Sequence, residues 1–308
     1  RVLRELAREM ARQGWRVRVV CAGKESFRQM DGGVSVIRVK TAVRPRSGMT
    51  AARVMFALFR AALKQPKPDL VVTLSDPPML ATLGHVLKKR WHCPHLHWCH
   101  DLYPDLLPGL GHKTRPEVLR FLNHVAYKSL KGADRIIVIG RCMAAKMMEK
   151  KISPGRVTVI PNWADTSLPD VKIPKKSRRK RISKVRAARA FADLYKDDSP
   201  KFRILYAGNI GRAHPLQSIL EAAEFLKDDH PEIEFVFVGE GAGHERIAKE
   251  RAKRGLNNIR LMPFQPAARL REVLESGDVH LVSMREELSG MLVPCKLYSA
   301  FAVHRPCI

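Results

Sequence analysis

The stretch from Phe202 to Leu220, "FRILYAGNIGRAHPLQSIL", contains the pattern that decides the fold. It begins with a largely apolar run typical of a buried strand, passes through a turn that contains Gly208 and Gly211, and ends with apolar residues at helical spacing. A strand that leads through a glycine turn into a helix is the unit of a parallel sheet. In such sheets, ligands bind at the carboxyl ends of the strands.

The same alternation of strands and helices extends on both sides of this stretch. It runs from "VLRELAREMARQ" near the start to "RVTVIPN", and it restarts after a basic, strand-free interval. The sequence therefore predicts an α/β fold of two doubly wound Rossmann-like domains that face a cleft. We place an N-terminal domain at 1–165, a basic linker at 166–200 and a C-terminal domain at 201–308.

The charge is strongly positive and unevenly distributed. The 308 residues carry a formal net charge of +26, but 201–308 hold 15 Lys+Arg against 14 Asp+Glu, so nearly all the excess precedes residue 201. The densest run, "KKSRRKR", lies in the linker. One-sided charge favours docking to an anionic partner, either a phospholipid surface or a nucleic acid. A solvated basic surface is the alternative that stays open.

The cysteines and the apolar runs bear on location. The six cysteines contain no C-x-x-C pair and lack the density of a disulfide framework, which favours a reducing cytoplasm. No run approaches 18 apolar residues, so the sequence predicts no membrane span and no signal peptide. We expect a cytoplasmic protein, peripheral at the inner face of the membrane. Because the chain starts with Arg and ends on an apolar run, we also expect a fragment.

The segment "HLHWCHDLYPD" (95–105) combines three histidines, a cysteine and an aspartate. On a strand, His95, His97 and Cys99 share one face, which permits a metal-ligand pair, but no second His/Cys cluster completes a zinc site, so we expect no metal. Ordinary histidines near a sheet edge are the other interpretation. His100 and Asp101 fall where the strand ends, and an imidazole and a carboxylate there can bind hydroxyl groups.

Three segments of the C-terminal half are candidates for binding phosphate. Backbone N–H groups at Gly208 and Gly211, together with the Arg212 guanidinium, predict a diphosphate cradle, with a plain glycine turn as the alternative. "GEGAGHE" (239–245) is a second glycine turn after a strand. In "GMLVPCKLYS" (290–299), Lys296 lies in the first turn of a predicted helix, where a cation is favoured only beside an anion. A surface lysine is the simpler explanation.

In this order, the motifs resemble those of the GT-B glycosyltransferases of family 4, in the branch that builds bacterial surface polysaccharides. "DLVVTLSDPPML", "HDLYPD", "ADRIIVIG" and "VTVIPNWAD" are similar to its N-domain signatures, and "ILYAGNIGR", "EFVFVGEGAG" and "VPCKLYSAFAVHRPCI" to its donor-domain signatures. The resemblance covers nearly the whole chain. It implies an acceptor-side N-domain that lacks its first strand, and a nucleotide-sugar donor domain that is truncated.

The resemblance also implies a reaction and its residues. A hexosyl or acetamidohexosyl group would move, with retention, from a nucleotide-diphosphate sugar to a lipid-linked or cell-surface glycan acceptor, without a cofactor or a catalytic metal. His100 and Asp101 would act at the donor sugar or the acceptor. The donor-binding residues would be Gly208, Asn209, Gly211 and Arg212 at the diphosphate, Glu240 and Gly241 near the nucleoside, and Pro294, Cys295 and Lys296 at the phosphates from the opposite side.

Departures from the family pattern change which of these residues we expect to bind the phosphates. His214 stands where many relatives have a phosphate-binding lysine, Cys295 replaces the usual serine, and Met291 and Ser299 replace two glutamates. We therefore expect phosphate binding either to be weaker or to depend more heavily on Arg212 and Lys296. We also expect Ala at either position to weaken donor use strongly while leaving the fold intact.

Two other functions stay open. One is a GT-B sugar-nucleotide epimerase, which shares the fold but needs no acceptor. The other is a basic nucleic-acid-binding protein, disfavoured because base-stacking aromatics are not interleaved with the "KKSRRKR" run, so no nucleic acid is expected.

Overall fold

A computed structural model describes residues 2–42, 48–164, 201–211, 214–241 and 243–308. The predicted linker at 166–200 and the candidate Arg212 lie outside these described residues. The chain divides into two compact units. The first comprises the described parts of Arg1–Pro108, His112–Asn162 and Gly290–Val293, and the second those of Gly109–Gly111, Trp163–Ser289 and Pro294–Ile308.

The first unit begins with a small mixed sheet of strands β1 (Arg18–Gly23), β2 (Phe27–Asp31) and β3 (Val34–Lys40) in the order β1-β3-β2. The pair β1 and β3 is parallel, whereas β2 and β3 form an antiparallel hairpin. The hairpin turns at two glycines with positive φ, as its tight geometry requires. Helices α1 (Val2–Arg12) and α2 (Gly48–Leu63) flank this sheet in sequence.

The rest of the first unit is a four-stranded parallel sheet in the order β4-β5-β6-β7. The crossovers are helical, because amphipathic runs follow each apolar strand. The strands are β4 (Val71–Leu74), β5 (His95–Cys99), β6 (Arg135–Val138) and β7 (Val157–Val159). The helices are α3 (Leu80–Trp91), α4 (Leu106–Gly109), α5 (Pro116–Gly132) and α6 (Arg141–Glu149).

The second unit contains a four-stranded parallel sheet in the order β10-β9-β8-β11. Its strands are β8 (Phe202–Ala207), β9 (Ile233–Val238), β10 (Ile259–Met262) and β11 (Val279–His280). Its helices are α7 (Gln217–Leu226), α8 (His244–Arg254), α9 (Leu270–Glu275) and α10 (Lys296–Ala302).

Both faces of this second sheet are covered. Alternate residues of β8 and β9 belong to different apolar clusters: Tyr206 and Phe237 lie in one, and Leu205 and Val236 in the other. A strand that is buried on both faces reads as a continuous apolar run, as "FVFV" does. The predicted α/β class with parallel sheets is confirmed. Across the described residues, no helix combines the length and the apolar character needed to span a bilayer.

Candidate functional site

Two glycine turns meet at the carboxyl ends of β8 and β9. The N–H of Gly208 donates to the carbonyl of Val238 at 2.9 Å, and the N–H of Ile210 donates to the carbonyl of Glu240 at 2.8 Å. Gly243 donates back to the carbonyl of Ile210 at 2.9 Å. The two turns that the sequence predicts separately therefore form one surface, which brings Gly208, Asn209, Gly211, Glu240 and Gly241 together.

Glycine is required where these turns touch. A Cβ on Gly239 would lie 2.0 Å from the carbonyl oxygen of Gly208, and one on Gly241 would lie 2.6 Å from the carbonyl oxygen of Ile210. Both glycines also have positive φ, of +148° and +140°, which side chains rarely adopt. Only glycine therefore allows the backbones of the two turns to approach this closely.

Lys296 reaches the first turn from α10. The helix begins at Lys296, directly after Cys295, as the sequence predicts. Its Nζ lies 3.3 Å from Nε2 of His214 and 4.5 Å from the centroid of the Tyr206 ring. A Cβ on Gly208 would lie 3.3 Å from Cε of Lys296, so side chain and turn are in contact. The structure thus brings Lys296 and His214 to the glycine turns, with the exposed Cys295 and its neighbour Pro294 preceding the helix.

Burial controls the charges of this group. It lowers the pKa of Lys296 to about 8. It also lowers the pKa of His214, with the Lys296 charge adding to the effect and a hydrogen bond to Ser283 opposing it. Burial removes the water that would hydrate the charged form of each side chain. A bound anion would therefore stabilise both charged forms.

Sequence reasoning missed Tyr206 and Ser283. The buried Tyr206 hydroxyl donates to the carbonyl of Asn209 at 2.9 Å, and Ser283 offers its carbonyl to His214. A tyrosine at the end of a buried strand, just before a glycine turn, is a signal that could have identified Tyr206. Ser283 acts through its backbone, which no side-chain motif reveals.

His100 and Asp101 lie in the first unit, directly after β5, as predicted. Both backbone N–H groups donate to Oγ of Ser75, each at 3.0 Å, and Ser75 directly follows β4. A pocket beside them is lined by the polar residues Ser75, Thr82, His97 and Asp101 together with several apolar side chains. The ends of the neighbouring strands β4 and β5 are thereby joined through Ser75 at one site.

Asp101 is held in a state that resists ionisation. Burial, and then the nearby Asp76, raise its pKa to about 6. Burial also lowers the pKa of His100. A carboxyl group with such a pKa can carry a proton near neutrality and bind a hydroxyl group in either state.

The remaining residues of the "HLHWC" strand are structural. Thr73 Oγ1 lies 2.7 Å from Nε2 of His95 and 2.9 Å from Nδ1 of His97, and burial lowers the pKa values of these histidines to about 4 and about 3. The sheet-edge interpretation of His95 and His97 is wrong, because β5 lies between β4 and β6 and both side chains are buried. In the described ranges, no group of three metal-ligating side chains occurs.

We expect Asp101→Asn to raise the stability of the first unit at pH 7.5 while impairing activity. A carboxyl whose pKa is raised on folding contributes stability below its unfolded pKa, and this contribution is lost as pH rises through about 6. The amide cannot ionise, so the variant should gain about 3 kcal/mol at pH 7.5 and less than about 1 kcal/mol at pH 4. Thermal unfolding at both pH values checks this.

The matched control is Asp105→Asn, which removes a carboxylate that is paired with Lys150. It should not stabilise the protein at either pH. Equal stabilisation by both substitutions would contradict the origin assigned to the effect of Asp101.

Comparisons with known families find matches to both halves of the chain. Residues 1–163 match the family described as glycosyl transferase 4-like domain, and residues 201–308 match the family described as glycosyl transferases group 1. The chain belongs to the glycosyltransferases. The predicted family is therefore confirmed, and this glycosyltransferase is an enzyme that transfers sugars.

A curated relative and two solved structures resemble this glycosyltransferase. WcaI of Escherichia coli (strain K12), a glycosyl transferase named for colanic acid biosynthesis, is 28% identical over 97% of this chain and 76% of its own length. The sucrose-phosphate synthase of Thermosynechococcus elongatus matches with a TM-score of 0.72 and 18% identity, over 99% of this chain and 73% of its own. HepE of Anabaena, in complex with UDP and glucose, matches with a TM-score of 0.61 and 15% identity, over 90% of this chain and 67% of its own. These structures support the GT-B fold.

Proposed function

We propose that this glycosyltransferase moves a hexosyl or acetamidohexosyl group, with retention, from a nucleotide-diphosphate sugar to a lipid-linked or cell-surface glycan acceptor during polysaccharide biosynthesis. The observation that carries the proposal is the partly buried ammonium of Lys296 beside the glycine turn at Gly208. The name of WcaI supports a role in surface polysaccharide synthesis, and the UDP and glucose in HepE support a nucleotide-sugar donor.

In this proposal, the second unit holds the donor. The diphosphate contacts Gly208, Asn209 and Gly211 on one side and Lys296 on the other, and the predicted Arg212 contact lies outside the described residues. Pro294 and Cys295 lead into the phosphate site, and Glu240 and Gly241 lie near the nucleoside. His214 acts beside Lys296.

In the proposed chemistry, the bond between the anomeric carbon and the phosphate oxygen breaks, and a bond forms between that carbon and a hydroxyl oxygen of the acceptor, whose proton passes to the departing phosphate. Negative charge develops on the departing nucleoside diphosphate, so a fixed ammonium and backbone N–H groups lower the barrier. His100 and Asp101 bind hydroxyl groups of the sugar or the acceptor. We propose that the reaction needs no cofactor and no catalytic metal, because cationic and N–H groups stabilise the leaving group.

The test is to incubate the full-length protein with candidate nucleotide sugars, with and without a lipid-linked acceptor. We expect nucleoside diphosphate to be released only with the acceptor, unaffected by EDTA, and NMR of the product to show a retained anomeric configuration. Interconversion of sugars without release would establish an epimerase instead. Absence of turnover, with tight and salt-sensitive RNA or DNA binding, would establish the nucleic-acid alternative.

An exposed stripe of apolar and cationic side chains on α2 supports the proposal of a membrane-proximal acceptor. The inner face of this helix buries Val54 and Leu58. The outer stripe, defined by Met49, Arg53, Phe56, Arg60 and Leu63, is exposed and alternates apolar and cationic side chains at helical spacing. A helix with such a stripe lies in the interface of an anionic bilayer, where its rings enter the headgroup region and its cations meet phosphates. We propose that the enzyme is cytoplasmic and peripheral at the inner face of the membrane.

We expect Phe56→Ser to weaken binding to anionic vesicles by about tenfold, because the exposed ring no longer leaves water on docking. Flotation with phosphatidylglycerol-containing vesicles at low salt measures the effect. Phe225→Ser, which removes a still more exposed ring in the second unit, is the control and should leave binding unchanged. Equal binding of the wild type to neutral and anionic vesicles would overturn the membrane proposal.

A further inference from the structure

The imidazole of His214 is held in one tautomer by its neighbours. Its Nδ1 lies 2.6 Å from the carbonyl oxygen of Ser283. A carbonyl can only accept, so Nδ1 must carry the hydrogen and donate it. Burial and the Lys296 charge lower the pKa of His214, which keeps the ring neutral. Nε2 is therefore left as a hydrogen-bond acceptor.

This acceptor faces the ammonium of Lys296. The Nζ of Lys296 lies 3.3 Å from Nε2, and an ammonium has donors but no acceptor, so Lys296 donates to His214. The same Nζ lies 4.5 Å from the centroid of the Tyr206 ring, within the range of a cation–π contact. Both contacts fix the position of the cation without neutralising it.

The ammonium retains capacity for an anionic ligand. Within the described ranges, the titratable groups that influence or contact Lys296 are His214, Tyr206 and Cys295, and no carboxylate is among them. Burial lowers the pKa of Lys296 to about 8, as expected for a cation that lacks an anionic partner. His214 is the hydrogen-bond acceptor of Lys296 among the residues that the structure describes, and beyond that bond the ammonium has two further N–H donors for a ligand.

We infer that His214 is a positioning residue whose neutral imidazole, anchored on the Ser283 carbonyl, holds the Lys296 ammonium for the phosphates of the donor. The inference rests on the proposed function, because that proposal assigns Lys296 to the diphosphate. A lysine at position 214 would add a second cation but no acceptor. The histidine therefore adds no phosphate contact of its own, and it supports phosphate binding by orienting the Lys296 ammonium.

Two substitutions separate the two hydrogen bonds of the ring. In His214→Gln, the amide oxygen can take the place of Nε2 and accept from Lys296. In His214→Asn, the shorter amide can take the place of Nδ1 and donate to Ser283, but it cannot reach Lys296. The inference predicts that His214→Gln preserves the pKa of Lys296 and its binding of pyrophosphate, and that His214→Asn does not. If His214 serves only as a structural anchor on Ser283, His214→Asn should preserve both properties and His214→Gln should not. His230→Asn, at an exposed histidine of the same unit, is the matched control.

The readout is the Lys296 side chain itself. NMR titration of protein with ¹³C-labelled lysine, assigned with Lys296→Arg, gives the pKa of Lys296 in the absence of ligand. Loss of a hydrogen bond to the charged form should lower that pKa by about 1 in His214→Asn and hardly at all in His214→Gln. Inorganic pyrophosphate, which carries two phosphates without base or sugar, should shift the same signal and bind about tenfold more weakly to His214→Asn.

Each outcome has a distinct meaning. If His214→Gln is as impaired as His214→Asn in both readouts, or if neither differs from the wild type, the positioning role is overturned. If pyrophosphate shifts the Lys296 signal equally in the wild type and in both variants, the donor site stands and His214 does not serve it. In a further outcome, pyrophosphate leaves the Lys296 signal of the wild type unmoved while the ligand-free pKa of Lys296 still falls in His214→Asn and not in His214→Gln. In that case the hydrogen bond between His214 and Lys296 stands, and the assignment of Lys296 to phosphate is overturned.

Discussion

Replacing Lys296 with Met should lower kcat/KM for the nucleotide-sugar donor by about 10² to 10³, the loss typical of one group that stabilises charge in the transition state. Met retains the apolar stem of the side chain that contacts Gly208 and removes only the ammonium. The same substitution should make the ligand-free protein more stable. Removal of a catalytic group and a gain in stability are expected together where a functional charge is buried.

The sign of the stability change follows from the pKa. Burial lowers the pKa of Lys296 to about 8, below its value in the unfolded chain. The neutral lysine therefore leaves the folded protein at full stability at high pH, and this stability is lost as the pH falls through about 8. At pH 7 the charged lysine therefore costs about 3 kcal/mol, and Met should recover about that much. At pH 10.5 the gain should nearly vanish.

Donor kinetics and thermal unfolding of the same preparation test both effects. Lys249→Met, which removes an exposed lysine on α8, is the control and should change neither kcat/KM nor the unfolding temperature. The predicted weakening by Arg212→Ala should appear in donor kinetics alongside that of Lys296. Unchanged kinetics in Lys296→Met would remove the phosphate role, whereas lower stability at pH 7 would contradict the cost assigned to its charge.

The sequence predicts those residues of the site that belong to a pattern of neighbouring residues along the chain. The turns at 208–211 and 239–243 are marked by glycines after apolar runs, and their close contact explains why those residues are glycines. Lys296 is marked by its place at the start of a helix. These patterns need only neighbouring residues, so periodicity and turn chemistry were sufficient to find them.

The part that the sequence does not predict depends on distant partners. Ser283 lies 69 residues from His214, and Lys296 lies 82 residues from it, so their hydrogen bonds follow from sheet order and not from spacing. The same reason explains the error at His95 and His97. Their pairing with Thr73 requires that β4 and β5 be neighbours inside the sheet, which no local pattern reveals.

Glu234→Ala should destabilise the second unit by about 3 to 5 kcal/mol, the usual loss when one partner of a buried ion pair is removed. Glu234 lies in the central strand β9 with 3% of its side chain exposed. Its Oε1 is 2.8 Å from Nε of Arg260 on β10, and its Oε2 is 3.4 Å from Nε of Arg203 on β8. One carboxylate thus connects three adjacent strands, and its loss leaves two guanidinium groups with reduced compensation in a partly buried position.

Hydrogen exchange of the β8, β9 and β10 amides is the suitable measurement, because a chain with two compact units need not unfold in a single step. Faster exchange should be confined to the second unit. Glu232→Ala, just before the same strand, removes an exposed carboxylate that pairs with His230, and it should leave the exchange rates almost unchanged. If both substitutions accelerate exchange to the same small extent, the ion pair across β8, β9 and β10 does not hold the sheet of the second unit together. The stability of that sheet then rests on the apolar clusters around Tyr206 and Val236.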